Sequence, residues 1–192
     1  MTEFQEFPKI ARWSREVVVT EKIDGTNGCL FIGDPGEGPQ EFLVGSRSKW
    51  IAPSCDNHGF ARWAYEHKDE LMVGLGPGRH FGEWWGSGIQ RGYGLVKGEK
   101  RFSLFNVTRW VVSGQTPGEK QEVLPPCVGL VPILWAGNMD DLQPMEMIEA
   151  LKMSGSHASP GFPDPEGIVI YHIPGQYLFK KTLKKDEGKS NG

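Results

Sequence analysis

The sequence predicts an α+β fold in which mostly antiparallel β-sheets flank a cleft and a few helices lie at the periphery. Short apolar segments rich in β-branched residues alternate with turn-forming residues, and the 26 glycines and 14 prolines follow no fixed period. Two segments show the spacing of a helix instead. With 192 residues, 38% of them hydrophobic, the chain is long enough for one good core and short for two.

The first two strands are predicted on either side of a tight turn. Residues 17–23 form an apolar run rich in β-branched side chains, residues 24–28 are the turn, and residues 29–32 form a second apolar run. Further strands are predicted from similar runs at 41–46, 80–85, 101–107, 128–135, 167–173 and 176–183. Pro174 and Gly175 stand between the last two and indicate a hairpin-like turn.

Two helices are predicted outside the sheets. The first covers residues 58–72, where apolar side chains recur with partial helical periodicity, and the second covers residues 144–153 and ends before Gly155. Beyond Leu183 the chain has no apolar residue. We therefore expect one domain over residues 1–183 and a flexible tail over residues 184–192.

Composition limits the possible functions and locations. No apolar stretch approaches the roughly 20 residues that span a bilayer, and the N-terminus carries acidic residues where a signal peptide would be basic. These features predict an intracellular, cytoplasmic protein without a membrane partner. Cys29, Cys55 and Cys127 are odd in number and widely spaced, which predicts ordinary thiols. The net charge of −3 gives no general attraction to nucleic acid, so any such contact must use local basic patches.

The turn at residues 21–27 contains the first candidate functional group. Lys22 stands at the predicted end of a strand, just before Asp24 and Gly25, where a glycine turn lets a phosphate come close. Taken alone, a lysine at a strand end is most often a solvated edge residue. A functional interpretation of Lys22 therefore depends on the rest of the chain.

Six segments support that interpretation by their order. They are EKIDGTN at 21–27, GSRS at 45–48, FGEW at 81–84, RFSLF at 101–105, EGIVI at 166–170 and LFKK at 178–181. They resemble, in the same order and over nearly the whole chain, the motifs of the covalent nucleotidyltransferases, which include DNA ligases, RNA ligases and messenger-RNA capping enzymes. The resemblance implies the nucleotidyltransferase domain of polynucleotide ligases, with a nucleotide in the cleft.

The resemblance implies that the amine of Lys22 attacks the α-phosphate of ATP and holds the nucleotide as a lysyl-AMP intermediate. A protonated amine cannot attack phosphorus, so such a lysine needs cationic neighbours or a metal. Lys180, Lys181 and Arg47, together with Mg²⁺ (or Mn²⁺), are expected to supply that field. The same charges would stabilise the α-phosphate while pyrophosphate leaves.

Two carboxylates acquire roles by the same resemblance. Glu83 is expected to contact the ribose, and Glu166 is expected to assist the metal and the lysine, because hard carboxylate oxygens suit Mg²⁺. Glu21 is expected to contact the purine edge, although an exposed strand glutamate is an alternative interpretation.

The remaining nucleotide contacts are also implied by the resemblance. Asp24 and Asn27 in the lysine turn are expected to bind the nucleotide, and the guanidinium of Arg47 is expected to contact phosphate. Phe102 is expected to stack on the purine. Phe105 would then belong to the core, because it lies on the other face of the strand.

The sequence departs from the family pattern in three places. Lys180 and Lys181 are adjacent, whereas the family commonly separates its two lysines by one residue, so we expect only Lys180 to face the cleft and Lys181 to share the face of Phe179. Asn106 stands where an aspartate is common. Ligases of this type usually also have a further C-terminal domain, which predicts that a partner protein or domain replaces it.

The motifs resemble most closely those of the RNA ligases, which include small repair enzymes of phages and bacteria. ATP-dependent RNA ligation is therefore favoured, on RNA that is nicked or single-stranded, in RNA repair. DNA ligation is an alternative, because Asp24 is typical of DNA ligases. A GTP-dependent capping transferase and a non-catalytic nucleotide- or nucleic-acid-binding module are further alternatives, which trial labelling with ATP and GTP would distinguish.

Overall fold

The computed structural model of the protein describes residues 4–7, 9–38, 40–112 and 124–184. Its strands are β1 (Glu16–Lys22), β2 (Thr26–Ile32), β3 (Phe42–Gly45), β4 (Trp50–Ile51), β5 (Gly78–Gly86), β6 (Lys100–Leu104), β7 (Val128–Leu130), β8 (Ile133–Asn138), β9 (Gly167–His172) and β10 (Tyr177–Thr182). Its α-helices are α1 (Phe60–Glu66), α2 (Lys68–Leu75), α3 (Val107–Val112) and α4 (Pro144–Ser154).

The strands form two sheets, and the predicted α+β fold class is confirmed. The first sheet has the order β10-β9-β1-β8, with antiparallel pairing throughout. The second sheet has the order β4-β3-β2-β5-β6-β7 and is antiparallel except between β6 and β7. β1 and β2 follow each other in the chain but belong to different sheets. The turn after Lys22 therefore crosses from one sheet to the other.

Three hydrophobic clusters hold these layers together. The first lies between the second sheet and the helices α1 and α2, and contains Leu30 and Phe60. The second lies between the first sheet and α4, and contains Val19 and Ile148. The third joins the two sheets and consists of the buried residues Val18, Ile23, Trp85, Tyr93, Val107 and Val131. Each sheet therefore has an outer face covered by helices and an inner face directed at the cleft.

Two strand predictions need correction. The strand predicted at 101–107 ends at Leu104, and α3 begins at Val107, where Oδ1 of Asn106 accepts a hydrogen bond from the N–H of Arg109 (3.4 Å). The strand predicted at 128–135 is divided into β7 and β8 at 131–132, where Pro132 has no N–H to donate to a ladder. The carbonyl of Pro132 accepts a hydrogen bond from the backbone N–H of Glu21 instead (2.9 Å).

The helix predicted at 58–72 is two helices. α1 ends at Glu66, because His67 has a φ of −105° and a ψ of 16°, outside the helical range, and α2 then runs from Lys68 to Leu75. The ring Nδ1 of His67 lies 2.9 Å from the carbonyl oxygen of Trp63 and helps to satisfy the end of α1. The helix predicted at 144–153 is confirmed within one residue as α4.

No helix among the described residues is long and apolar enough to cross a membrane. All three cysteines are free thiols, as predicted. Of the predicted tail only Lys184 is described, and its amine lies 2.7 Å from a carboxylate oxygen of Asp164; residues 185–192 lie outside the described residues.

Candidate active site

Lys22 lies at the end of β1, where the two sheets meet. Its partner in the ladder with β9 is Gly167, so the side chain of the preceding residue, Glu166, comes alongside it. The Nζ of Lys22 lies 2.6 Å from Oε2 of Glu166, and both side chains remain partly exposed. A primary amine is thus held against a carboxylate at the edge of the cleft.

Glu83 enters the same site from β5 of the second sheet. Its Oε1 accepts a hydrogen bond from the N–H of Gly25 (3.0 Å), and its Oε2 accepts one from Nδ2 of Asn27 (3.1 Å). Burial raises the pKa of Glu83 to about 7, although the charge of Lys22 acts in the opposite direction. Glu83 therefore fixes the turn between Lys22 and β2 and remains titratable near neutral pH.

Glycine is required in this turn because its backbone packs directly against β5. A Cβ at Gly25 would lie 2.5 Å from the carbonyl oxygen of Trp84 and 2.8 Å from the Cβ of Trp85. No other residue type fits without a shift of the β5 backbone. The sequence Lys-x-Asp-Gly thus has a steric reason here as well as a chemical one.

Arg91 is a site residue that the sequence interpretation missed. Its Nε donates to Oδ2 of Asp24 (2.9 Å) in the lysine turn, and its NH1 lies 2.9 Å from Oδ2 of Asp164. NH1 also donates to the backbone carbonyl of Asp164 (3.0 Å). These partners raise the pKa of Arg91, against the opposing effect of burial. One guanidinium therefore ties the turn after Lys22 to the loop before Glu166.

Tyr93 supports the same turn from within the core and was also missed. The backbone N–H of Asp24 donates to its hydroxyl (2.9 Å), and the hydroxyl lies 3.5 Å from the carbonyl oxygen of Lys22. Burial raises the pKa of Tyr93, so the hydroxyl is neutral and can donate. No local pattern identifies Arg91 or Tyr93, because their partners are about 70 residues away in the chain.

The register of β10 places the two adjacent lysines on opposite faces. Lys180 pairs with Val169, which pairs with Thr20 on the face of Lys22. Lys181 pairs with Ile168, a member of the cluster under α4. Lys180 therefore faces the cleft side, as predicted, while its part in adenylation remains a prediction. Phe179, which shares the face of Lys181, is exposed.

The predicted positions of the two phenylalanines must be exchanged. Phe102 is only 1% exposed and packs against Phe60 of α1, with 4.9 Å between ring centroids. Its strand position pairs with Trp84, so it lies on the helix-covered face, opposite to Glu83. Phe105 is 41% exposed. Phe102 is thus a core residue, and Phe105 is the aromatic that remains accessible to a ligand.

The alternative of an exposed strand residue is wrong for Glu21, and its contact with the purine edge remains a prediction. The residue is buried, on the α4 side of β1, and its two carboxylate oxygens accept three hydrogen bonds. The donors are the hydroxyl of Ser156 (2.6 Å) and the N–H groups of His157 and Ala158 (both 2.8 Å). Its acceptors are therefore already used to hold the 156–158 loop against β1.

The other predicted nucleotide contacts lie near the lysine turn. Asp24 is paired with Arg91 and Asn27 with Glu83, as described above. Arg47 is exposed in the turn between β3 and β4, at the same end of the second sheet as Lys22. Their predicted roles toward a nucleotide remain predictions. Among the described residues, no group of three or more His, Cys, Asp or Glu side chains could hold a metal ion by itself.

The domain has two sheets around a cleft, a lysine at a strand end and carboxylates from both sheets. This arrangement defines a domain of the covalent nucleotidyltransferase type. The family model for RNA ligase matches residues 15–184. The chain therefore belongs to the RNA ligase family. No match was found among curated proteins.

The fold is shared with solved structures of Naegleria gruberi RNA ligase. A variant with ATP and Mn is matched at 20% identity and a TM-score of 0.62, over 90% of this chain and 51% of that one. A variant with AMP and Mn and the ligase with PPi are each matched at 20% identity and a TM-score of 0.61, over 88% of this chain. This chain spans about half the length of the Naegleria protein.

Proposed function

We propose that this protein is an ATP-dependent RNA ligase that works through a covalent lysyl-AMP at Lys22. The Lys22 amine attacks the α-phosphorus of ATP, a P–N bond forms, and pyrophosphate leaves. AMP then passes to the 5′-phosphate of an RNA strand. Finally, a 3′-hydroxyl attacks that phosphate, seals the strand and releases AMP.

The observation that supports this proposal most directly is the contact between Lys22 and Glu166. Their ion pair of 2.6 Å holds the amine at the edge of the cleft, beside the carboxylate that would also bind the metal ion. Glu83 and Arg91 hold the turn that follows Lys22, so the amine is presented in one orientation. A module that only bound nucleotides would have no need of this arrangement.

ATP and a divalent metal are proposed as the reaction partners. The Naegleria structures with ATP and Mn and with AMP and Mn support this choice. Mg²⁺ typically uses one or two protein carboxylates and takes its other ligands from phosphates and water, so a single carboxylate such as Glu166 fits it. Glu166 would hold the ion, which would neutralise charge on the phosphates.

The test is the mass of the purified protein after incubation with ATP and Mg²⁺. We expect a gain of one AMP on the wild type. We expect none on Lys22→Ala, which lacks the amine, and none on Lys22→Arg, because a guanidinium stays protonated. The Ala variant should remain folded, since Lys22 is partly exposed. An acid-labile AMP adduct on Lys22→Ala would contradict the assignment, and labelling by GTP alone would indicate a capping-type transferase.

Ligation itself is tested with RNA and DNA strands that carry a 5′-phosphate and a 3′-hydroxyl. We expect sealing of RNA ends, and sealing of DNA alone would contradict the proposal. A partner protein or domain that assists the later steps, a cytoplasmic site of action and a phage origin remain predictions from the sequence.

A further inference from the structure

One face of the second sheet presents exposed aromatic rings beside the active site. Phe31 and Phe81 lie on the face of Asn27 and Glu83, because they are separated from them by even numbers of strand positions. Trp50 joins them from β4, since its partner Gly45 pairs with Cys29 on the same face. We call Phe31, Trp50, Phe81 and Arg79 the aromatic face.

These rings are accessible although their size favours burial. Trp50 is 46% exposed and Phe81 is 54% exposed, whereas the opposite face of the same strands is packed under α1 and α2. Exposed aromatic residues grouped on one surface commonly mark an interaction site.

Arg79 gives the aromatic face a positive charge. Its guanidinium carbon lies 5.0 Å from the centroid of the Phe31 ring and 5.3 Å from that of Trp50. Lys49, next to Trp50, is also exposed. Two acidic residues on this face lie at its margins: Glu83 is buried in the active site, and Glu41 lies at the outer edge next to β3. Rings interleaved with cations suit a polyanion that also has flat apolar groups.

The position of the aromatic face relates it to the reaction. Phe81 is two strand positions from Glu83, or about 7 Å, and Arg79 is four positions away, or about 13 Å, at the usual rise of a strand. Trp50 stands three strands across from Phe81, about 14 Å at the usual spacing of strands. The surface therefore has room for two or three nucleotides that lead away from Lys22.

We propose that the aromatic face binds a single-stranded segment of the RNA substrate, with bases stacked on Trp50 and Phe81 and backbone phosphates on Arg79. This inference rests on the proposed function, because it assigns the substrate strand of the same site. With a net charge of −3 the protein has no general attraction for RNA, so affinity must come from such a local group. Stacking is tolerant of sequence, which suits an enzyme that joins ends.

The experiment measures binding of a fluorescent single-stranded RNA of ten nucleotides to wild type, Trp50→Ala, Phe81→Ala and Arg79→Ala. We expect each aromatic variant to weaken binding by about 5- to 100-fold, the range for loss of one base stack. Arg79→Ala should lower the slope of log affinity against log salt by about 0.7, as expected for one phosphate contact on a single strand. Trp50→Phe should restore most of the affinity.

Controls separate this surface from general effects. Trp13→Ala removes a tryptophan that is also exposed, and Arg62→Ala removes an exposed arginine on α1; both should bind RNA like wild type. Trp50→Ala and Arg79→Ala should still form the AMP adduct, which shows that they are folded. Wild type should bind an RNA with abasic positions as weakly as Trp50→Ala binds the intact RNA.

Three results would overturn the proposal. The first is wild-type RNA affinity in Trp50→Ala and Phe81→Ala. The second is an equal loss in the Trp13 and Arg62 controls. The third is a protein dimer that Trp50→Ala disrupts without loss of RNA binding, since the face would then be an interface between copies. Absence of the AMP adduct in wild type would instead contradict the proposed function, independently of these binding results.

Discussion

The two sheets meet at one cleft but contribute different kinds of groups to it. The first sheet supplies Lys22 and Glu166 at strand ends, where both side chains keep some contact with water. The second sheet supplies Glu83, which is buried and fixed by two hydrogen bonds. The groups expected to react therefore lie at the water-accessible edge of the cleft, whereas the group expected to recognise the nucleotide is held by burial.

The largest expected difference is in the free energy of unfolding, between variants on the two faces of the second sheet. Phe102→Ala should lower the free energy of unfolding by about 3–5 kcal/mol, because it empties a space in the core. Phe105→Ala should leave stability nearly unchanged and weaken ATP binding by about 1–3 kcal/mol through loss of stacking. Denaturant unfolding and ATP titration of both variants test this. A stable Phe102→Ala that loses ATP binding would restore the sequence-based assignment.

The two faces of the first sheet give the next largest difference. Lys180→Ala should lower the rate of self-adenylation at least about a hundredfold, as loss of one charge donor to a phosphate often does. Lys181→Ala should cost less than about tenfold, because its strand position faces the α4 cluster. Single-turnover labelling with ATP measures both rates. Equal losses would mean that β10 is bulged when ATP is bound.

Burial of Glu83 predicts a pH dependence of stability. Its pKa of about 7 in the folded protein exceeds the ordinary value of 4.5, so the folded state retains a proton that the unfolded state loses. Wild type should therefore lose stability as pH rises between about 4.5 and 7, by about 3 kcal/mol from this group. Glu83→Gln should not show this loss. Unfolding of both proteins at pH 5 and pH 8 gives the difference, and parallel pH profiles would contradict the burial argument.

Removal of the Arg91 link between the two sheets should have a smaller effect on the rate of self-adenylation than Lys180→Ala. Arg91→Ala should lower the maximal rate of self-adenylation by about tenfold with little change in the KM for ATP, because it loosens the positions of Asp24 and Glu166 without removing a reacting group. Arg91→Lys should rescue little, since an ammonium cannot reproduce the guanidinium fork. Arg62→Ala is the matched control. Full activity of Arg91→Lys would show that only the charge matters.

Local patterns in the sequence predicted most strands, the place of Lys22 at a strand end and the family motifs with Glu83 and Glu166. Apolar runs and turn residues are local properties of the chain, so they need no knowledge of distant contacts. The alternation of β10 even predicted that Lys180 and Lys181 point to opposite faces. Strand alternation gives two faces but does not say which one the helices cover.

Tertiary structure alone decided the points at which these predictions failed. α1 covers the face of Phe102 and leaves Phe105 accessible. The 156–158 loop, more than 130 residues away in the chain, buries Glu21. Arg91 gains its place only because Asp24 and Asp164 converge on it. In each case the deciding partner is distant in sequence, and only the packing of the two sheets and their helices brings it into contact.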